Sequence, residues 1–161
     1  GLFNVDDGNL VQIIDAHSEP IVSVSFSPDG KIIASASLDG TLKLWNASDA
    51  TLIKTIKGHS NKLAGASFSP DGKMIATASF DHTVKLWNVD DGTVVQNFQG
   101  HLAPVKSVSF SLNGKIIASA SEDGTVKLWN LEHKDIEPQT FRGHRSHIGY
   151  VTFSPDGKTL A

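Results

Sequence analysis

Histidine, serine and aspartate are the residue types that could do nucleophilic chemistry in this 161-residue chain, and they recur at a fixed period. His17, His59, His101 and His144 are separated by 42, 42 and 43 residues. Ser37, Ser79 and Ser121 stand just ahead of Asp39, Asp81 and Asp123 in three matching turns. A Ser-His-Asp trio runs acyl transfer only where one accessible nucleophile sits beside an oxyanion hole. Here the trio is repeated in every unit and joined each time by a tryptophan, Trp45, Trp87 or Trp129, so it reads as structural. The stretch His-Arg-Ser-His at 144–147 puts two histidines within reach of one metal, but His144 already belongs to the repeat. No cysteine or acidic cluster accompanies it. Each glycine serves a turn, so no phosphate-cradling loop is present. These residues lead us to expect no catalytic residue, no metal site and no cofactor.

The elements that must carry these residues come from the repeat itself. "SASLDGTLKLWN" (35–46) returns as "TASFDHTVKLWN" (77–88) and "SASEDGTVKLWN" (119–130). Each unit reads as four short strands. An alternating strand such as "IVSVSFS" (21–27) enters an "SPDG" turn, then come "KIIASAS" (31–37), "TLKLWN" (41–46) and "TLIKTIK" (51–57). Pro presets φ in the turn, Asp can bond the backbone ahead of it, and Gly takes the left-handed position. Short strands between frequent turn signals predict an all-β protein, and the Gly, Pro and Asp breaks leave no room for a helix. One four-stranded unit cannot cover both its faces, so the units must stack.

Composition narrows the function classes. Hydrophobic residues make up 39% and charged residues 19% of the chain, which is a globular balance. The net charge is −3 with mixed signs, which argues against nucleic acid or an anionic membrane as partner. The absence of cysteine removes disulfides and fits a cytoplasmic location. The apolar runs are too short for a spanning helix.

A Gly-His pair, an Asp in a tight turn and a Trp ending the next strand, in units of about 40–45 residues, resemble the WD-repeat β-propellers. Departures are small: Asn46, Asn88 and Asn130 follow the Trp where that family usually has Asp, Ala16 replaces the Gly, and Phe3 falls in the first Trp slot. The resemblance implies four-stranded antiparallel blades, about four of them, as an arc or half of a larger propeller. The blades are expected at 17–58, 59–100 and 101–143, with partial blades at 1–16 and 144–161. It also implies a hydrogen-bonded set in each blade: His17, Ser37, Asp39 and Trp45; His59, Ser79, Asp81 and Trp87; His101, Ser121, Asp123 and Trp129. Ser35, Thr77 and Ser119 are the alternative hydroxyls.

The positions that change between units are expected to show each blade's face to partners. By the same resemblance, Leu38, Phe80 and Glu122 lie on the rim of one propeller face, and Ser23, Gly65, Ser107 and Tyr150 lie nearer the central channel. The loops after each histidine border that face. Phe80, His82 and Leu38, then Tyr150 with Arg142 and Arg145, stand out, because aromatics and Arg are favoured interface anchors. The expected function is a non-catalytic scaffold or sensor that binds protein or peptide. The alternative is a purely architectural, oligomerising module of a larger signalling protein. The near-identical units resemble bacterial WD-repeat arrays. The chain reads as a window of a longer array, whose working form is a larger propeller completed by further sequence or by a second copy.

Overall fold

A computed structural model describes residues 1–3, 5–133, 136–144 and 146–161. Its elements are all strands. A first pair, β1 (Leu2–Phe3) and β2 (Leu10–Gln12), is followed by three four-stranded antiparallel sheets. The first sheet holds β3 (Ile21–Phe26), β4 (Ile32–Ser37), β5 (Leu42–Asn46) and β6 (Leu52–Ile56). The second holds β7 (Leu63–Phe68), β8 (Met74–Ser79), β9 (Val84–Asn88) and β10 (Val94–Phe98). The third holds β11 (Val105–Phe110), β12 (Ile116–Ser121), β13 (Thr125–Asn130) and β14 (Gln139–Arg142). After β14 the described chain makes an isolated bridge, Phe153 to Leu160.

Each sheet is a meander, because consecutive strands pair in chain order. The "SPDG" turn explains the first hairpin. The Ser27 hydroxyl donates to Asp29 Oδ1 at 2.6 Å, and the same oxygen accepts the Lys31 amide at 3.1 Å. The second hairpin needs a left-handed residue, and Gly40 and Gly124 supply it at φ 80° and 77°. His82 holds the same conformation at φ 70° with a Cβ to accommodate, a strained choice for a non-glycine residue.

The core lies between sheets. Strand alternation sends Ala34, Ala36, Leu42 and Leu44 to one face of the first sheet, and they pack on Leu63, Phe68, Ile75 and Trp87 of the second. Ala76, Ala78, Val84 and Leu86 meet Val105, Phe110, Ile117 and Trp129 of the third in the same way. Alanines on one side and large residues on the other let adjacent sheets approach closely. The third sheet's alanines, Ala118 and Ala120, are covered by Val151 with Phe153 and Leu160.

Candidate partner-binding site

The constant residues come first, because they fix what the variable ones can do. His17 lies ahead of β3, Ser35 on β4, Asp39 in the β4–β5 turn and Trp45 on β5. The Trp45 indole N–H donates to Ser35 Oγ at 2.9 Å, Ser35 Oγ is 2.7 Å from His17 Nε2, and His17 Nδ1 is 2.9 Å from Asp39 Oδ2. The second sheet repeats the chain through Trp87, Thr77, His59 and Asp81 at 2.8, 2.7 and 2.8 Å. The third does so through Trp129, Ser119, His101 and Asp123, each step 2.8 Å. The carboxylate side of the imidazole holds the proton, so Nε2 accepts from the hydroxyl, and the imidazole, hydroxyl and indole N–H of each set are all partnered.

The hydroxyl in these sets is therefore Ser35, Thr77 or Ser119, which corrects the expectation of Ser37, Ser79 and Ser121. The register gives the reason. Trp45 lies opposite Ile33, so Ser35 is the next residue on that face and Ser37 is a further pair away. Ser37 instead donates to the Glu19 carbonyl at 2.9 Å and accepts the Asp39 amide at 3.1 Å. Ser79 holds the Lys62 carbonyl at 2.8 Å, and Ser121 the Ala103 carbonyl at 3.0 Å. All three tie the loop after the histidine to the turn.

Sequence reasoning also missed Thr41, Thr83 and Thr125. Each hydroxyl donates to its aspartate's Oδ1 at 2.6 Å. The signal was visible, since a threonine follows each of the matching pairs Asp39-Gly40, Asp81-His82 and Asp123-Gly124. Burial works to raise the Asp39 carboxyl, but the Thr41 hydroxyl and amide, then His17, outweigh it and bring its pKa down to about 2. Asp81 is likewise opposed by burial and lowered to about 2 by Thr83 and His59, and Asp123 is lowered by Thr125, the Leu102 amide and His101. Burial holds the His59 and His101 imidazoles below their ordinary value, although Asp81 and Asp123 pull the other way. Carboxylates this firmly bonded, beside hydroxyls already donating to imidazole, leave no free nucleophile within these three sets. The side chains of His59 and His101 are 1% exposed.

Close packing accounts for Gly58, the residue before His59. A Cβ on Gly58 would lie 2.7 Å from the Trp87 ring, so only glycine lets that indole lie against the backbone.

The variable residues gather elsewhere. A groove of about 670 Å³ runs along the inner strands β3, β7 and β11. Leu38, Phe80, Ser23, Gly65, Ser107 and Tyr150 all line it. Tyr150 is 72% exposed. The Phe80 ring is half-buried under the Lys106 ammonium of the neighbouring sheet, 4.2 Å from its centroid. Lys106 also meets Glu122 Oε1 at 3.3 Å, so Glu122 sits at the groove's edge through its partner. Ser23 and Ser107 line the groove with hydroxyls already bonded to the next unit's backbone. His82 is exposed in its turn, and Arg142 is on the outermost strand, opposite Thr125; neither is among the groove's lining residues. The expected grouping of Arg142 with Tyr150 is thus not what the fold makes. Arg145 lies outside the described residues.

Lys106 is the functional candidate that sequence reasoning missed. The register of each inner strand slips between Ile21 and Ser23, Leu63 and Gly65, and Val105 and Ser107. The extra residues are Val22, Ala64 and Lys106, and a bulge re-aims its side chain. All three line the groove. The signal lay in three unlike residues at one position between apolar and small neighbours.

Among solved structures, "Structure of U3-55K" superposes with a TM-score of 0.83 at 23% identity over 88% of this chain and 45% of that one. "Crystal structure of RRP9 WD40 repeats" does so with a TM-score of 0.83 at 23% identity over 88% of this chain and 44% of that one. These likenesses show the fold. In sequence, a serine-threonine kinase receptor-associated protein of Dictyostelium discoideum is 41% identical over 44 residues, 27% of this chain and 15% of that protein. WD repeat-containing protein SL1-17 of Schistosoma mansoni is 54% identical over 35 residues, 22% of this chain and 12% of that protein. A Notchless protein homolog of Arabidopsis thaliana is 56% identical over 34 residues, 21% of this chain and 7% of that protein. The chain spans less than half of the solved chains it matches, and its matches cover 15% or less of these curated relatives. These relatives are eukaryotic, so the bacterial type expected from the uniform units finds no support among them. The WD domain, G-beta repeat family matches residues 8–46, 50–88, 92–130 and 137–161, the first three being units whose His, Ser or Thr, Asp and Trp are bonded as described, and the chain belongs to that family.

Proposed function

We propose that this chain is a non-catalytic interaction module that holds a polypeptide partner in the groove along β3, β7 and β11. The carrying observation is a division of labour. The constant polar residues are spent on one another inside the blades, while six of the residues that vary between units line one concavity. Leu38, Phe80 and Tyr150 offer apolar and aromatic surface, and Lys106 is the groove's charged lining residue. Such a mixture suits a peptide anchored by an apolar side chain. No nucleophile stands free in the three bonded sets, which favours binding over catalysis. A cytosolic setting, with the groove displayed as part of a larger protein, completes the reading.

The test is one variant with two readouts. Phe80→Ala should weaken partner binding by tenfold or more in a pull-down followed by titration, while shifting the chemical-denaturation midpoint little. Unchanged binding with a large stability loss would make Phe80 a spacer between sheets.

A second reading has its own observation. Ile21, Val24 and Phe26 of β3 are 44%, 59% and 55% exposed. Such a face suits a further blade, supplied by a second copy or by more sequence, and the array would then serve architecture. Light scattering on the 17.2 kDa chain distinguishes the two, since a mass of two chains supports the oligomer.

A further inference from the structure

The inner strands β3, β7 and β11 and the segment around Val151 meet at three seams, and a hydroxyl closes two of them. The Ser23 hydroxyl of the first sheet accepts the Ala66 amide at 3.3 Å and points to the Ala66 carbonyl at 3.5 Å. The Ser107 hydroxyl of the third sheet accepts the Val151 amide at 3.2 Å and points to the Val151 carbonyl at 3.5 Å. Both are serine clasps on the backbone of one equivalent residue in the next unit, Ala66 on β7 and Val151 in the segment after β14. The middle seam has glycine at that position. Gly65 faces Val108, the residue equivalent to Ala66 and Val151.

The Val108 amide and carbonyl are on the free edge of β11. The Ser111 amide bonds the Ile116 carbonyl, and strand alternation then turns Ser109 and Ser107 toward β12 and Val108 away from it. A Cβ built on Gly65 would stand 3.8 Å from the Val108 nitrogen. Among the described residues no side chain bonds that amide. Both Gly65 and Val108 line the groove, next to Phe80 and Lys106. An edge N–H and C=O side by side ask for a group that both accepts and donates. That group is a hydroxyl, as the other two seams show.

We propose that the Gly65 seam takes a serine or threonine hydroxyl from the bound partner, which completes in trans the clasp that Ser23 and Ser107 make within the chain. The partner segment then carries a Ser or Thr beside an apolar residue, whose side chain lies against Phe80 and Leu38. This inference rests on the groove being a peptide site and adds the chemistry it selects.

The test uses two capped tetrapeptides, Ac-Ala-Leu-Ser-Ala-NH2 and Ac-Ala-Leu-Ala-Ala-NH2, titrated into the isotope-labelled chain with amide NMR shifts as readout. The serine peptide should move the Val108 amide saturably, at a concentration at least tenfold below the alanine peptide. Gly65→Ser should remove that preference and slow hydrogen exchange of the Val108 amide at least tenfold relative to Gly65→Ala. The alanine control is tolerated by the backbone, since its Cβ would make ordinary contacts at 3.5 Å or more. Equal responses to both peptides at Phe80, Lys106 and Val108 would overturn the hydroxyl clasp and leave the groove as a peptide site. No response to either peptide would overturn both.

Discussion

The inner strands of the first and second sheets differ in surroundings more than in sequence. Phe26 and Phe68 close matching strands, one reading "IVSVSF" and the other "LAGASF". Phe26 is 55% exposed and Phe68 is 8% exposed. Ile21 and Leu63, also equivalent, are 44% and 1% exposed. A blade does not bury its own large residues. It lends them to the alanine face of the preceding unit, which for Phe68 is the face of Ala34 and Ala36. Stability in such an array is a sum over neighbouring interfaces, so equivalent residues carry unequal weight.

The largest expected effect tests that inequality directly. Phe68→Ala should cost about 3–5 kcal/mol in chemical denaturation, the range for truncating a buried aromatic. Phe26→Ala should cost under about 1 kcal/mol, as exposed substitutions do. Equal losses would mean that the β3 face is covered in solution. The hydrogen-bonded sets give the next contrast. Asp81 accepts from His59, Thr83 and the Ser60 amide, and its side chain is 8% exposed against 12% for Asp39. Asp81→Ala should therefore cost about 1–3 kcal/mol from groups left unpaired, and Asp39→Ala less.

Acid sharpens the comparison further. His59 and His101 have folded pKa values below the ordinary one, so the unfolded chain binds their protons first. Stability that is full above about pH 6.5 should decline as pH falls through that value. Asp39 and Asp81, lowered to about 2, add a second loss from about pH 4 down to 2, as the unfolded chain takes up protons that the folded carboxylates refuse. A melting temperature flat from pH 7 to 3 would contradict both shifts. The smallest effect concerns the turns. His82→Gly should stabilise by up to about 1 kcal/mol, because the left-handed position then carries no Cβ, as at Gly40 and Gly124. The same change leaves groove binding intact if His82 is outside the site, which affinity measurement on the variant checks.

Much of the candidate site was legible because the repeat separates constant from variable residues. Leu38 and Phe80 fill one changing slot in units whose tryptophan is constant, Tyr150 fills a slot that is Ser or Gly elsewhere, and all three line the groove. Lys106 was not read as a site residue. Its direction depends on a bulge, and a slip of one residue in register leaves no mark in local alternation. Choosing Ser37 over Ser35 failed for a related reason. Both lie on one face of β4, and only the pairing of Ile33 with Trp45 decides which hydroxyl reaches the indole. The prominence given to Arg142 came from residue type alone, and its strand turns out to be the outermost of its sheet.

The sequence by itself determined the strands, the turns and the family. Alternation, Pro-Asp-Gly chemistry and a 42-residue period are local or periodic properties, and they are written in residue order. Only the tertiary structure decided which hydroxyl serves each tryptophan, which apolar face is covered, and where a seam lacks its serine. Those outcomes depend on register between strands and on the neighbour each sheet meets, and neither distance is set by position along the chain.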